Sequence, residues 1–158
     1  ADEKNIQLFA RHGVYTETEL RSRVEILLDE YSKTLNIEAL TMIDMTKKDI
    51  LPAVATYIKE LAQTAELAKA CGADTGFETD LVRRLSSLAT DTYKKISLLE
   101  QAENDARAIA DPEKQAKYYR DVVFPAMGQL RASADEIESL VGEKYWPYPT
   151  YGKMLFYV

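Results

Sequence analysis

The chain has 158 residues, 46% of them apolar, which is enough for one domain with its own core and excludes a disordered segment. A net charge of −6 and an isoelectric point near 4.9 argue against nucleic acid and anionic membrane surfaces as partners. A single cysteine, Cys71, leaves no internal disulfide, and a single histidine, His12, leaves no His-built metal site and no Ser-His-Asp triad.

No apolar run approaches the roughly 20 residues needed to cross a bilayer. The first residues show no basic stretch followed by an apolar one, so no signal peptide is expected, and the cytoplasm is the expected location. Helix formers dominate and glycine is scarce, which predicts an all-α fold.

In chain order, residues 2–11 predict a short helix, with Gly13 at the glycine position that closes it. Thr16 and Glu19 match a capping box, with Tyr15 and Leu20 at the flanking apolar positions. A very long helical segment then spans residues 16–71. Its first part carries the stripe Leu20, Val24, Leu27, Tyr31 and Leu35; its second carries Leu40, Ile43, Lys47, Ile50, Val54, Tyr57 and Leu61. Lys47 can lay its stem along that stripe and keep its ammonium in water. Asn36 either caps a new start or lies within one unbroken helix; the residues allow both. Pro52 predicts a bend rather than a stop, because Ile50 and Val54 stay in phase across it.

Residues 72–76, GADTG, predict a turn. A second helix follows over about 78–110, with the stripe Leu81, Leu85, Leu88, Thr92, Ile96, Leu99, Ala102, Ala106 and Ile109. Arg83, Arg84, Asp91, Lys94, Lys95, Glu103 and Asp105 are assigned to its other faces. Asp111 and Pro112 restart the helix, and a third runs to about residue 144 with Tyr119, Val123, Ala126, Leu130, Ala134, Ile137 and Val141 inward. Pro125 predicts a second kink.

Similar lengths and short connections predict an antiparallel three-helix bundle of long kinked helices, with the part before Asn36 projecting or folding back as a fourth element. Residues 146–158 differ in kind. Pro147 and Pro149 favour extended backbone, and residues 153–158 have strand composition. An extended aromatic tail has no ladder partner in a helical bundle, so Trp146, Tyr148 and Phe156 are expected to dock it on a protein surface.

Chemistry is hard to find. Gly72 and Gly76 are not followed by the Lys-Ser/Thr of a phosphate loop. Cys71 sits near a helix end that would not activate it, and His12 precedes Gly13 as a capping histidine. Glu38 with Asp44, or Glu100 with Glu103, are read as solvated faces, because a carboxylate site in a bundle adds a histidine three residues after a glutamate. No catalytic, cofactor-binding or metal residue is assigned. A sensor pocket between helices would have to use Lys47 and Thr92, and a stand-alone helical interaction module is the main alternative reading.

Four stretches carry a resemblance. FARHGVYTETE at 9–19 resembles the run before the closing helix of glutamine synthetases. LNIEALTMIDMTKKDILP at 35–52, YYRDVVFPAM at 118–127 and WPYPTYGKMLF at 146–156 resemble the type III glutamine synthetases specifically. The tail also looks like a distant counterpart of the HPxEFxLY ending of shorter families.

The resemblance implies a non-catalytic C-terminal domain with an architectural or oligomer-contact role. Residues 1–36 would be the end of the catalytic region, 37–145 a helical-bundle insertion and 146–158 the tail. The parent would be a cytoplasmic homo-oligomer, a dodecamer, that makes glutamine from glutamate and ammonia with ATP and Mg or Mn. The partners implied are the rest of its own chain and sister subunits. The family's catalytic motifs have no match in this chain, so the resemblance transfers no catalytic residue onto it.

Overall fold

A computed structural model of the chain describes residues 2–155. Among them there is no strand. The elements are α1 (Glu3–Arg11), α2 (Glu17–Met45), a first π turn (Thr46–Ile50), α3 (Leu51–Ala70), α4 (Gly76–Arg107), α5 (Pro112–Tyr118), a second π turn (Tyr119–Val123), α6 (Phe124–Leu140) and α7 (Tyr151–Leu155).

Capping explains the boundaries. Asp2 accepts from the Lys4 amide at 3.2 Å and starts α1. Gly13, at φ +64°, closes it: the amides of Gly13 and Val14 donate back to the carbonyls of Ala10 and Phe9. Gly72, at φ +77°, ends α3 the same way, with its own amide and that of Ala73 donating to Lys69 and Ala68. The Thr16–Glu19 box is complete in both directions, and the Thr16 amide holds the Glu19 carboxyl below the usual carboxylate range. Asp111 accepts from the Lys114 amide at 2.8 Å and starts α5 with Pro112 in its first turn.

Asn36 begins nothing. The helix runs through it, and the path from Glu17 to Ala70 is one continuous rod interrupted only by the first π turn. Both prolines sit at the same offset from a wide turn. Leu51, just before Pro52, donates to the Thr46 carbonyl, and Phe124, just before Pro125, donates to Tyr119, each five residues back. The widened turn takes up the ring that would press on the carbonyl four back in an α turn. The prolines are therefore accommodated by a local change of helix type.

Short connections at 71–75 and 108–111 bring α3, α4 and α5–α6 together as successive antiparallel neighbours. The core has two apolar clusters. One is built from Leu35, Ala39 and Ile43 with Ile96, Leu99, Ala102 and Ala106 and with Tyr119, Val123, Met127 and Leu130. The other joins Ile50, Val54 and Leu61 to Leu85, Ile137 and Val141. Hydroxyls are buried at Thr46 of the first π turn, Thr92 of α4 and Ser133 of α6, and at Ser32 of α2. The two threonines donate to the carbonyls of Met42 and Leu88, which satisfies them without a partner helix.

Three expectations change. The buried face of α2 is Ser32, Leu35, Ala39 and Ile43, one position away from Tyr31 and Leu40, both of which are exposed; Leu27 is exposed as well. Small Ser32 and Ala39 let the neighbouring helices approach where larger side chains would hold them off. The third helix ends at Leu140, not near residue 144. The described part of the tail forms no strand: residues 146–150 are irregular, and Lys153 to Leu155 lie in α7, while residues 156–158 lie outside the described residues. A strand there would lack a ladder partner, so the backbone closes on itself. The Met154 amide donates to the Thr150 carbonyl at 3.1 Å and the Lys153 amide to its hydroxyl at 3.5 Å.

Candidate functional site

Two polar constellations stand out against this core. The first is centred on Glu103, which is 2% exposed. It was expected on a solvated face, but it lies four residues after Leu99 and three before Ala106, so it falls on the buried stripe of α4. That spacing was the available signal. One oxygen, Oε1, takes three donors: Asn36 Nδ2 from α2, Tyr119 Oη at 3.0 Å from the second π turn, and Arg107 Nε at 3.0 Å from one turn on. Asn36 also donates to Tyr119 Oη at 3.2 Å. Burial pushes the Tyr119 phenol above its ordinary pKa, which keeps it a donor. The charge is thus paired and bonded across all three helices, as a buried carboxylate must be. Glu100, by contrast, is on the outer side, bonded to Lys47.

The second constellation is where the tail returns. Tyr145 stacks on Tyr57 at 4.9 Å between ring centroids and donates to Glu60 of α3. Trp146 and Tyr148 meet edge to face at 6.4 Å, both half-buried against the second apolar cluster. The Tyr148 hydroxyl donates to Asp49 of the first π turn at 2.6 Å. Desolvation, helped by the bond to Asp49, pushes the Tyr148 pKa up to about 12. Two phenols thus strap residues 145–148 across α3 through carboxylates on that helix and the turn before it.

A folded-state pKa above the unfolded value favours the native state while the phenol is protonated. The strap's contribution is therefore complete below pH 10 and is lost as pH rises through about 12. Following tyrosinate absorbance at 295 nm, Tyr148→Phe should remove one late-titrating phenol; an unchanged titration refutes the assignment.

Of the three residues expected to dock the tail, Trp146 and Tyr148 therefore lie against the chain's own bundle, and Phe156 lies outside the described residues. Glu38 is exposed and Asp44 pairs with Lys48 on the surface. Among the described residues no three His, Cys, Asp or Glu side chains converge as a metal site requires. Thr92 is buried with its hydroxyl turned onto its own helix, and Lys47 is occupied by Glu100, so neither offers a free polar group to a pocket. His12 and Cys71 are exposed helix-end residues.

Residues 1–69, which cover α1, α2, the first π turn and nearly all of α3, match the family described as Glutamine synthetase C-terminal domain. The match passes Asn36 without a break. Over 156 residues the chain is 38% identical to a glutamine synthetase of Butyrivibrio fibrisolvens, covering 98% of this chain and 22% of that protein. Nearly the whole chain is thus similar to part of a glutamine synthetase. A Type-3 glutamine synthetase of Dictyostelium discoideum is 27% identical over 164 residues, again 98% of this chain and 22% of that protein. A glutamine synthetase of Bacteroides fragilis (strain YCH46) is 24% identical over 149 residues, 90% and 20%. The chain thus spans about a fifth of the length of the curated relatives it matches.

Proposed function

We propose that the chain is a non-catalytic, architectural part of a type III glutamine synthetase, contacting the rest of its own polypeptide and sister subunits of a homo-oligomer. The longer protein would join glutamate and ammonia at the expense of ATP, with ATP and Mg or Mn held outside these residues. Residues 1–36 would adjoin the catalytic region, and the strap would help hold the bundle against it.

The observation that carries this reading is the outer surface of α2. From Tyr31 back toward Glu17 the helix leaves the three-helix core: none of those residues is fully buried, and α1 and α5 are among its neighbours there. Leu27 is 64% exposed, and Ile26 and Ile37 lie three turns apart on another flank, Ile37 at 65%. Beside Ile37, exposed Phe124 lines a shallow groove with Met42 and Met127. Apolar side chains along one rod, in a chain a fifth as long as its relatives, are what a buried inter-domain contact leaves when its other side is missing.

Leu27→Glu and Ile37→Glu test this. Each should leave the stability of the 158-residue chain within about 0.5 kcal/mol, because neither side chain is in its core. In the full-length protein each should lower the assembled mass measured by light scattering. Normal assembly with both changes in place would refute the role, as would a reading frame that does not extend upstream of Ala1.

A further inference from the structure

Two buried side-chain atoms have no hydrogen-bond partner among the described residues: Glu103 Oε2 and Ser32 Oγ. They are opposite in capacity. The carboxylate oxygen only accepts, and the hydroxyl has a proton to donate. They also belong to one neighbourhood. Ser32 stands one turn before Asn36 on α2, and Asn36 is bonded to Glu103. Ser32 is 4% exposed.

Ser32 also differs from the other buried helical hydroxyls of the rod and α4, Thr46 and Thr92, and from several exposed threonines. Thr41, Thr46, Thr56, Thr64, Thr90 and Thr92 each donate to the carbonyl four residues back. Ser32 does not, so its hydroxyl is turned away from its own helix. A buried hydroxyl that forgoes the bond its own backbone offers needs another partner. Ser32 Oγ and Glu103 Oε2 are not bonded to each other, and a third group small enough to fit between helices would satisfy both.

We infer that a single buried water bridges Ser32 Oγ and Glu103 Oε2, completing a polar node of Ser32, Asn36, Glu103, Arg107 and Tyr119. The water donates to the carboxylate oxygen and accepts from the serine, so both unpartnered atoms are satisfied at once. Ser32 and Leu35 are the first fully buried positions of α2, so the node sits where that helix joins the core. It sets the axial register of the N-terminal part of α2 against α4 and the second π turn. The inference concerns the isolated chain and does not depend on the architectural role; either can fail without the other.

The sign of one substitution decides it. If the hydroxyl were unpartnered, Ser32→Ala would remove a buried cost and install a better helix former, and stability would rise. With the water in place, Ser32→Ala strands both the water and Glu103 Oε2, and the unfolding equilibrium constant, read by urea denaturation, should rise about tenfold. In a Glu103→Met background the same change should cost nothing. An unchanged or more stable Ser32→Ala overturns the node, as does an undiminished cost in the Met background. Should Glu103→Met not fold, a high-resolution crystal structure of the unaltered chain decides. Density for one water within hydrogen-bond distance of both atoms supports the inference; an apolar side chain in the gap, or a direct Ser32–Glu103 bond, overturns it.

Discussion

Glu103→Ala should destabilise the chain by about 3–5 kcal/mol, because it removes the acceptor on which three helices converge. The loss comes mainly from what stays behind. Asn36 and Tyr119 keep their donors between the helices without the acceptor they shared, and only Arg107, which is near the surface, can turn outward. Glu103→Gln keeps an oxygen for those donors and gives up the charge, so it should cost less, on the order of 1–2 kcal/mol. Urea denaturation of the three proteins side by side checks the ranking. A cost under about 1 kcal/mol for the alanine variant would mean that the node relaxes freely and holds nothing in register.

Leu99→Ala should cost about 3–5 kcal/mol, and Leu98→Ala, its sequence neighbour, less than about 0.5 kcal/mol. Leu99 has no exposed surface, at the centre of the first apolar cluster, where its removal leaves a hole that the flanking helices cannot close. Leu98 is 63% exposed on the outer side of α4. Thermal unfolding of both variants checks the contrast. Equal effects would mean that α4 is rotated about its axis relative to this structure. The contrast carries a second reading in the full-length protein. If the outer side of α4 is also covered there, Leu98→Ala should weaken assembly while leaving the isolated bundle intact.

Most helices were legible because their signals are local. Caps, turn glycines and helix-starting prolines act within four or five residues, and the Thr16–Glu19 box, Gly13, Gly72 and Asp111–Pro112 fall where the chain turns. The stripes of α4 and of the third helix were equally clear, since one face of each is apolar and the others are charged. On α2 the pattern was ambiguous. Tyr31 with Ser32, and Ala39 with Leu40, are adjacent pairs about 100° apart on the helix, and hydrophobicity alone favoured the larger member of each. Which member turned inward depended on how closely α5 and α4 approach.

Sequence by itself therefore determined an all-α chain, the capped starts of its long helices, the antiparallel order that short turns impose and the resemblance to glutamine synthetases. Tertiary structure decided the rest: Glu103 buried rather than solvated, Asn36 as a cross-helix donor rather than a cap, prolines absorbed in π turns, and an aromatic tail strapped onto its own bundle. The physical reason is range. Backbone hydrogen bonds and capping are satisfied by neighbours in the chain, whereas the fate of a carboxylate, a phenol or a small residue is set by partners 60 to 100 positions away, such as Asn36 for Glu103 and Asp49 for Tyr148.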